Sequence, residues 1–82
     1  MRRDVFTASP PPSGDYFLSP TGLAWNVRRC TDNGSVLNIA VESDWKSALA
    51  RLLSLAESDK ADAWETAGSG SYRLIKRYRP SP

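Results

Sequence analysis

Two stretches of the chain alternate apolar and polar residues with a period of two, and one repeats its apolar residues with the period of a helix. The alternating pair is "LAWNVRRC" (Leu23–Cys30) and "SVLNIAVE" (Ser35–Glu42), a pattern that sets every second side chain on the same face of a strand. Between them stands "TDNG". Its Asn33-Gly34 tolerates positive φ at both central positions of a type I′ turn, so a β-hairpin is expected. Leu23, Trp25 and Val27 would then share one face. Leu37, Ile39 and Val41 would share the matching face of the partner strand, with Asn26, Arg28, Asn38 and Glu42 pointing away.

The helical stretch is "SDWKSALARLLSLAESDK". Ser43 or Asp44 can cap its first turn through a side-chain oxygen, and Trp45, Ala48, Leu49, Leu52, Leu53 and Ala56 form one apolar stripe. Beyond it, "ADAWET" (Ala61–Thr66) and "SYRLIKRYR" (Ser71–Arg79) flank "AGSG" and read as a second hairpin, closed by Pro80, which cannot extend a ladder. Near the start, "DYFL" (Asp15–Leu18) reads as a short edge strand or an apolar plug, ended by "SPTG".

The expected architecture is therefore α+β. It has a small antiparallel sheet of about four strands in ββαββ order, an optional extra N-terminal strand, and one helix packed on one face. The segment "ASPPPSG" has no apolar partner for a core and lacks the PxxP spacing of an SH3-type ligand. Residues 1–14 are read as a flexible Pro-rich arm, 15–80 as the single domain and 81–82 as a tail.

Composition narrows the chemistry. With 82 residues there is room for one domain. A hydrophobic share of 40% with three tryptophans is enough for a modest core. Cys30 is the single cysteine, which excludes an intramolecular disulfide and fits a reducing compartment. "MRRDVFTASPPP" has no apolar signal region behind its basic opening, and no segment approaches the roughly 20 apolar residues of a bilayer span. A soluble, cytoplasmic protein is expected, in the host cytoplasm if phage-encoded.

The chain contains no histidine. That removes the commonest general base and the commonest metal ligand, together with every Ser-His or Cys-His nucleophile. Asp59, Asp62 and Glu65 are read as a solvated acidic corner rather than a metal site, and "AGSGS" as a turn rather than a phosphate cradle, since it precedes a strand. Arg28 and Arg29 beside Cys30 would lower its pKa, but a small residue packed at a sheet end is the simpler reading. No catalytic residue, cofactor or metal is assigned, and a non-enzymatic protein is expected.

Charge is uneven although the net value is only +2. Glu42 to Glu65 holds six acids against three bases, while residues 72–82 hold Arg73, Lys76, Arg77 and Arg79 and no acid. Such asymmetry points to partners. Strand alternation divides the basic segment into Tyr72, Leu74, Lys76 and Tyr78 on one face and Arg73, Ile75, Arg77 and Arg79 on the other. Arginines are costly to bury unpaired under a helix, so the tyrosine face is expected inward. Arg73, Ile75, Arg77 and Arg79 would then face outward, with Arg28 as a neighbour across the sheet.

That register disfavours a base-stacking RNA reader, whose aromatic side chains face away from the helix. Three uses of the basic face remain: docking on a protein, with Ile75 at its centre; tracking nucleic-acid phosphates; and solvating an edge strand against aggregation. In size and plan the chain resembles the small non-enzymatic proteins by which phages and mobile elements block host machinery, anti-CRISPR inhibitors among them. The resemblance implies a binding protein that occupies a surface on a larger protein or ribonucleoprotein complex. A nucleic-acid-binding module using the same arginines on phosphates is the alternative.

Overall fold

The structure, a computed structural model, describes residues 6–7, 11–67 and 70–80. In chain order the elements are β1 (Phe6–Thr7), β2 (Tyr16–Thr21), β3 (Ala24–Cys30), β4 (Val36–Glu42), α1 (Trp45–Asp59), β5 (Ala63–Thr66) and β6 (Tyr72–Lys76). The strands form one sheet in the order β1-β6-β5-β2-β3-β4, five strands of ordinary length extended by the two-residue β1. One face carries α1, giving the expected α+β fold. Among the described residues no helix is long and apolar enough to cross a membrane.

The sheet is mixed where an antiparallel one is expected. β2 and β5 run parallel, with Tyr16 opposite Ala63 and Phe17 opposite Trp64, and every other pair is antiparallel. The cause is the helix. It carries the chain from the β4 edge across the sheet to its middle, and such a crossover returns the next strand in the same direction. "DYFL" thereby opens the central strand rather than an edge. β2 continues through Ser19-Pro20-Thr21, and Pro20 lies past the three residues that pair with β5, where one side of the strand has no ladder to interrupt.

Two cores result. Between helix and sheet lie Tyr16, Leu18, Val27, Ala48, Leu52, Ala56, Ala61 and Ala63. Ala48 and Ala56 on either side of Leu52 let the helix approach closely, and fully burying Leu52 stabilises the fold by about 2 kcal/mol. The apolar stripe is narrower than its sequence, since Trp45 at the helix start is exposed. Asp44 caps α1 by accepting from the Ser47 N–H at 2.8 Å. Lys60 closes the helix in the left-handed region with φ 53°, its N–H and that of Ala61 bonding the Glu57 and Ala56 carbonyls. The second core lies on the helix-free face, where Phe17, Cys30 and Trp64 pack with Tyr72 and Leu74.

This second core corrects the facing expected for the basic strand. Tyr72 and Leu74 point away from the helix, while Ile75 packs into the helix-side core and Arg73 stands opposite Glu65 on that side. α1 lies mainly over β2 and β3, so β6, two places from β2, is at the helix margin. An arginine on the helix side there is not buried beneath the helix. A bulge at Ile75 also breaks the alternation, because Ala63 pairs with Lys76 and Trp64 with Leu74.

Both hairpins of the β2–β3–β4 meander have glycine at positive φ. Gly22 (φ 60°) begins the two-residue β2–β3 turn and leaves Leu23 wholly exposed at its tip, not in the core face expected for it. The β3–β4 hairpin forms as expected, but with a three-residue loop, Asp32-Asn33-Gly34, in which only Gly34 has positive φ. Asn33 stays in an ordinary conformation, its Oδ1 accepting from the Thr31 hydroxyl and the Ser35 N–H.

Parts of the arm at 1–14, of the "AGSG" turn and all of the tail at 81–82 lie outside the described residues. Where the arm is described it joins the domain. Phe6 and Thr7 pair with Arg73 and Tyr72 of β6, Pro11 is buried, and the Gly14 N–H bonds the Cys30 carbonyl at 2.8 Å.

Candidate functional site

The basic C-terminal segment is tied down by carboxylates of the same chain. Asp15, fully buried just before β2, accepts from the Asp62 N–H and from Trp64 Nε1, each at 3.0 Å, and binds the Arg79 guanidinium. Asp62, buried just before β5, accepts from the backbone N–H groups of Tyr78 and Arg79, both at 3.0 Å. Its other oxygen lies 3.9 Å from Arg77 Nε and 4.0 Å from Arg79 Nε. A carboxylate inside a protein needs donors on its lone pairs. Here those donors come from β5 and from the chain beyond β6, so the two acids clasp the C-terminal segment to the sheet.

The expected contact residues do not form one surface. Arg73 donates through Nε to Glu65 Oε1 at 2.7 Å and forms an ion pair with it. Ile75 is partly buried against the helix-side core. Arg79 belongs to the clasp. Arg77, with a side chain 60% exposed and a loose partner in Asp62, is the most open of the three arginines. Arg28 lies on the opposite, helix-free face, opposite Phe17 and Asn38, and its buried Nε has no hydrogen-bond partner.

The acids at the helix–strand junction go separate ways. Asp59 accepts from the Tyr16 hydroxyl and lies 3.8 Å from Arg29; Asp62 serves the clasp and Glu65 serves Arg73. Among the described residues no group of three metal-ligating side chains comes together.

A different surface stands open at the far side of the sheet. β4 is an edge strand, and among the described residues no strand pairs with its outer side. Val36, Leu37, Ile39 and Val41 are all exposed along it, Val41 to 64%. The alternation that predicted Leu37, Ile39 and Val41 on one buried face fails because a bulge sits at Ile39. Val27 pairs with Ala40 and Arg28 with Asn38, so Leu37 lies on the helix side and Val41 on the helix-free side. From Ser35 to Val41 the strand has no charge and no proline, two of the devices that protect natural edges. The uncharged run is legible in the sequence; its position at an edge is not. Exposed Leu23 and Trp45 lie toward the same end as Val41, at the β2–β3 turn and the helix start.

The facing that disfavours a base-stacking surface does not hold: Tyr72 points away from the helix, on the same face as Phe17 and Trp64, both of which are buried. A cleft of about 320 Å³ opens beside them, lined by Pro11, Phe17, Cys30, Val36 and Tyr72 with Ser13, Thr31 and Asp32 among its polar groups. Ser13 donates to Asp32 there. Burial first, and then the Asp15 carboxylate, pushes the Cys30 thiol up from its ordinary value. Compared with family models, curated proteins and solved structures, the chain finds no match in any of the three.

Proposed function

We propose that this chain is a non-enzymatic binding protein that acts by occupying a surface on a larger protein or ribonucleoprotein complex, with the β4 edge as its contact. The observation that carries this reading is the exposed row Val36, Leu37, Ile39 and Val41 on an edge strand that is uncharged from Ser35 to Val41 and, among the described residues, has no strand on its outer side. An open edge presents backbone donors and acceptors, which a partner strand can extend, while the apolar side chains supply burial. The sequence contains no histidine, the commonest general base, which supports action by binding. A role as a phage or mobile-element inhibitor rests only on size and plan.

In this reading the contact lies away from Arg73, Ile75 and Arg79, because Glu65, the helix-side core and Asp15 respectively engage those side chains within the fold. The test compares partner capture by the wild type, Ile39→Lys and Arg77→Glu, each confirmed as folded. Loss with Ile39→Lys alone is expected. Loss with Arg77→Glu and retention with Ile39→Lys would return the contact to the basic segment.

A further inference from the structure

We infer that the β4 edge pairs with the β4 edge of a second copy of this chain, antiparallel and about a two-fold axis, joining two sheets into one. This rests on the reading of β4 as a contact surface and names its first occupant. An isologous contact requires a patch complementary to itself, and from Ser35 to Val41 β4 meets that condition in charge and in its exposed apolar side chains, on either side of the bulge at Ile39. Ser35 to Val41 carries no charge, so two identical strands place no like-charged residues opposite one another along that stretch. Val36 and Val41 stand on the helix-free face, opposite Cys30 and Asn26, while Leu37 stands on the helix side, opposite Arg29. An incoming strand thus meets apolar side chains on both faces, which is what another β4 offers in return.

The symmetry of the joint also determines how far such an assembly grows. Both copies use the same β4 edge, so an isologous joint leaves neither β4 open and closes at two copies. A joint made by one strand from each copy buries at most about 1,200 Å², the small end of specific interfaces. The dimer therefore forms with rising concentration and is not a condition of folding.

The test is sedimentation velocity of the full chain from about 10 μM to about 1 mM, the range in which so small a contact associates. The mass should rise from 9.0 kDa toward twice that value, with little dependence on salt. Backbone amides of β4 should gain hydrogen-exchange protection over the same range, while those of β6 should not. Val41→Lys and Leu37→Lys, both at exposed positions, should each hold the chain at the monomer mass with its circular dichroism unchanged. Arg77→Glu should leave the association as it is. A chain monomeric throughout, or a dimer that survives both lysine variants, overturns the pairing. A monomer that still loses its protein partner on Val41→Lys overturns self-pairing and leaves the proposed function standing. Dimers lost on Val41→Lys while partner capture persists uphold the pairing and overturn β4 as the functional contact.

Discussion

The sheet ends in two opposite kinds of surface. On the β5–β6 side the chain is dense with charge, yet the charge is turned on itself: Arg73 meets Glu65, Arg79 meets Asp15, and Asp62 gathers the backbone beyond β6. Along β4 there is no charge from Ser35 to Val41, and four apolar side chains are exposed to solvent. Conspicuous charge in a sequence draws the eye to the first region. Glu65 and Asp15 take up Arg73 and Arg79, only Lys76 and Arg77 stay open, and the unremarkable apolar run is left as an open surface. A charged residue marks a contact only once its intramolecular partners are known.

The sharpest way to break this contrast is at Asp15. Asp15→Ala leaves two buried donors, Trp64 Nε1 and the Asp62 N–H, without an acceptor, and should destabilise the fold by about 3 kcal/mol in urea unfolding. A loss under about 1 kcal/mol would mean that the clasp does not hold the segment. The arginines should then separate by role. Arg79→Ala should cost about 1 kcal/mol, moderated by its partial exposure, and Arg77→Ala no more than about 0.5 kcal/mol.

Nucleic-acid binding sharpens the same comparison. Four basic side chains neutralising duplex phosphates would give a log–log salt slope of about −3.6, but with Arg73 and Arg79 engaged only Lys76 and Arg77 remain, and the slope should not exceed about −1.8 in size. Anisotropy across a salt series reads it directly, and the steeper value would show that the internal pairs open on binding. At β4, Val41→Lys should leave the unfolding free energy within about 0.5 kcal/mol of wild type, since the side chain is already in water.

The smallest effects concern pH and lie between the two regions, at the ends of the helix. Hydrogen bonds from the Ser47 N–H and hydroxyl hold the Asp44 carboxyl below its ordinary 3.8. Its contribution is present above that value and is lost as pH falls through the lower, folded-state pKa. Burial, then the hydrogen bond to Asp59, pushes the Tyr16 hydroxyl above 10.0. The folded state therefore favours its neutral form, and stability is lost as pH rises past 10.0. Urea unfolding against pH should show a weaker acid limb for Asp44→Asn and a weaker alkaline limb for Tyr16→Phe.

Local chemistry was legible from the residues alone. A helix cap at Ser43 or Asp44, the Asn33-Gly34 hairpin, an apolar helix stripe running from Trp45 to Ala56, and the α+β class all follow from periodicity and turn chemistry; that Asp44 is the cap and that Ala48, Leu52 and Ala56 are the buried part of the stripe came from the fold. The helix crossover that makes β2 central, the bulges at Ile39 and Ile75, and the facing of Tyr72 and Arg73 were decided by the fold as well. Each depends on which strand lies beside which, and a one-residue slip in pairing exchanges the faces of a strand. The fate of the arginines is the clearest case. Asp15 and Arg79 stand 64 residues apart, and only the closed sheet brings them together. The sequence by itself determined that the chain carries a basic segment and an uncharged one; the tertiary structure decided which of them is used internally and which is left exposed.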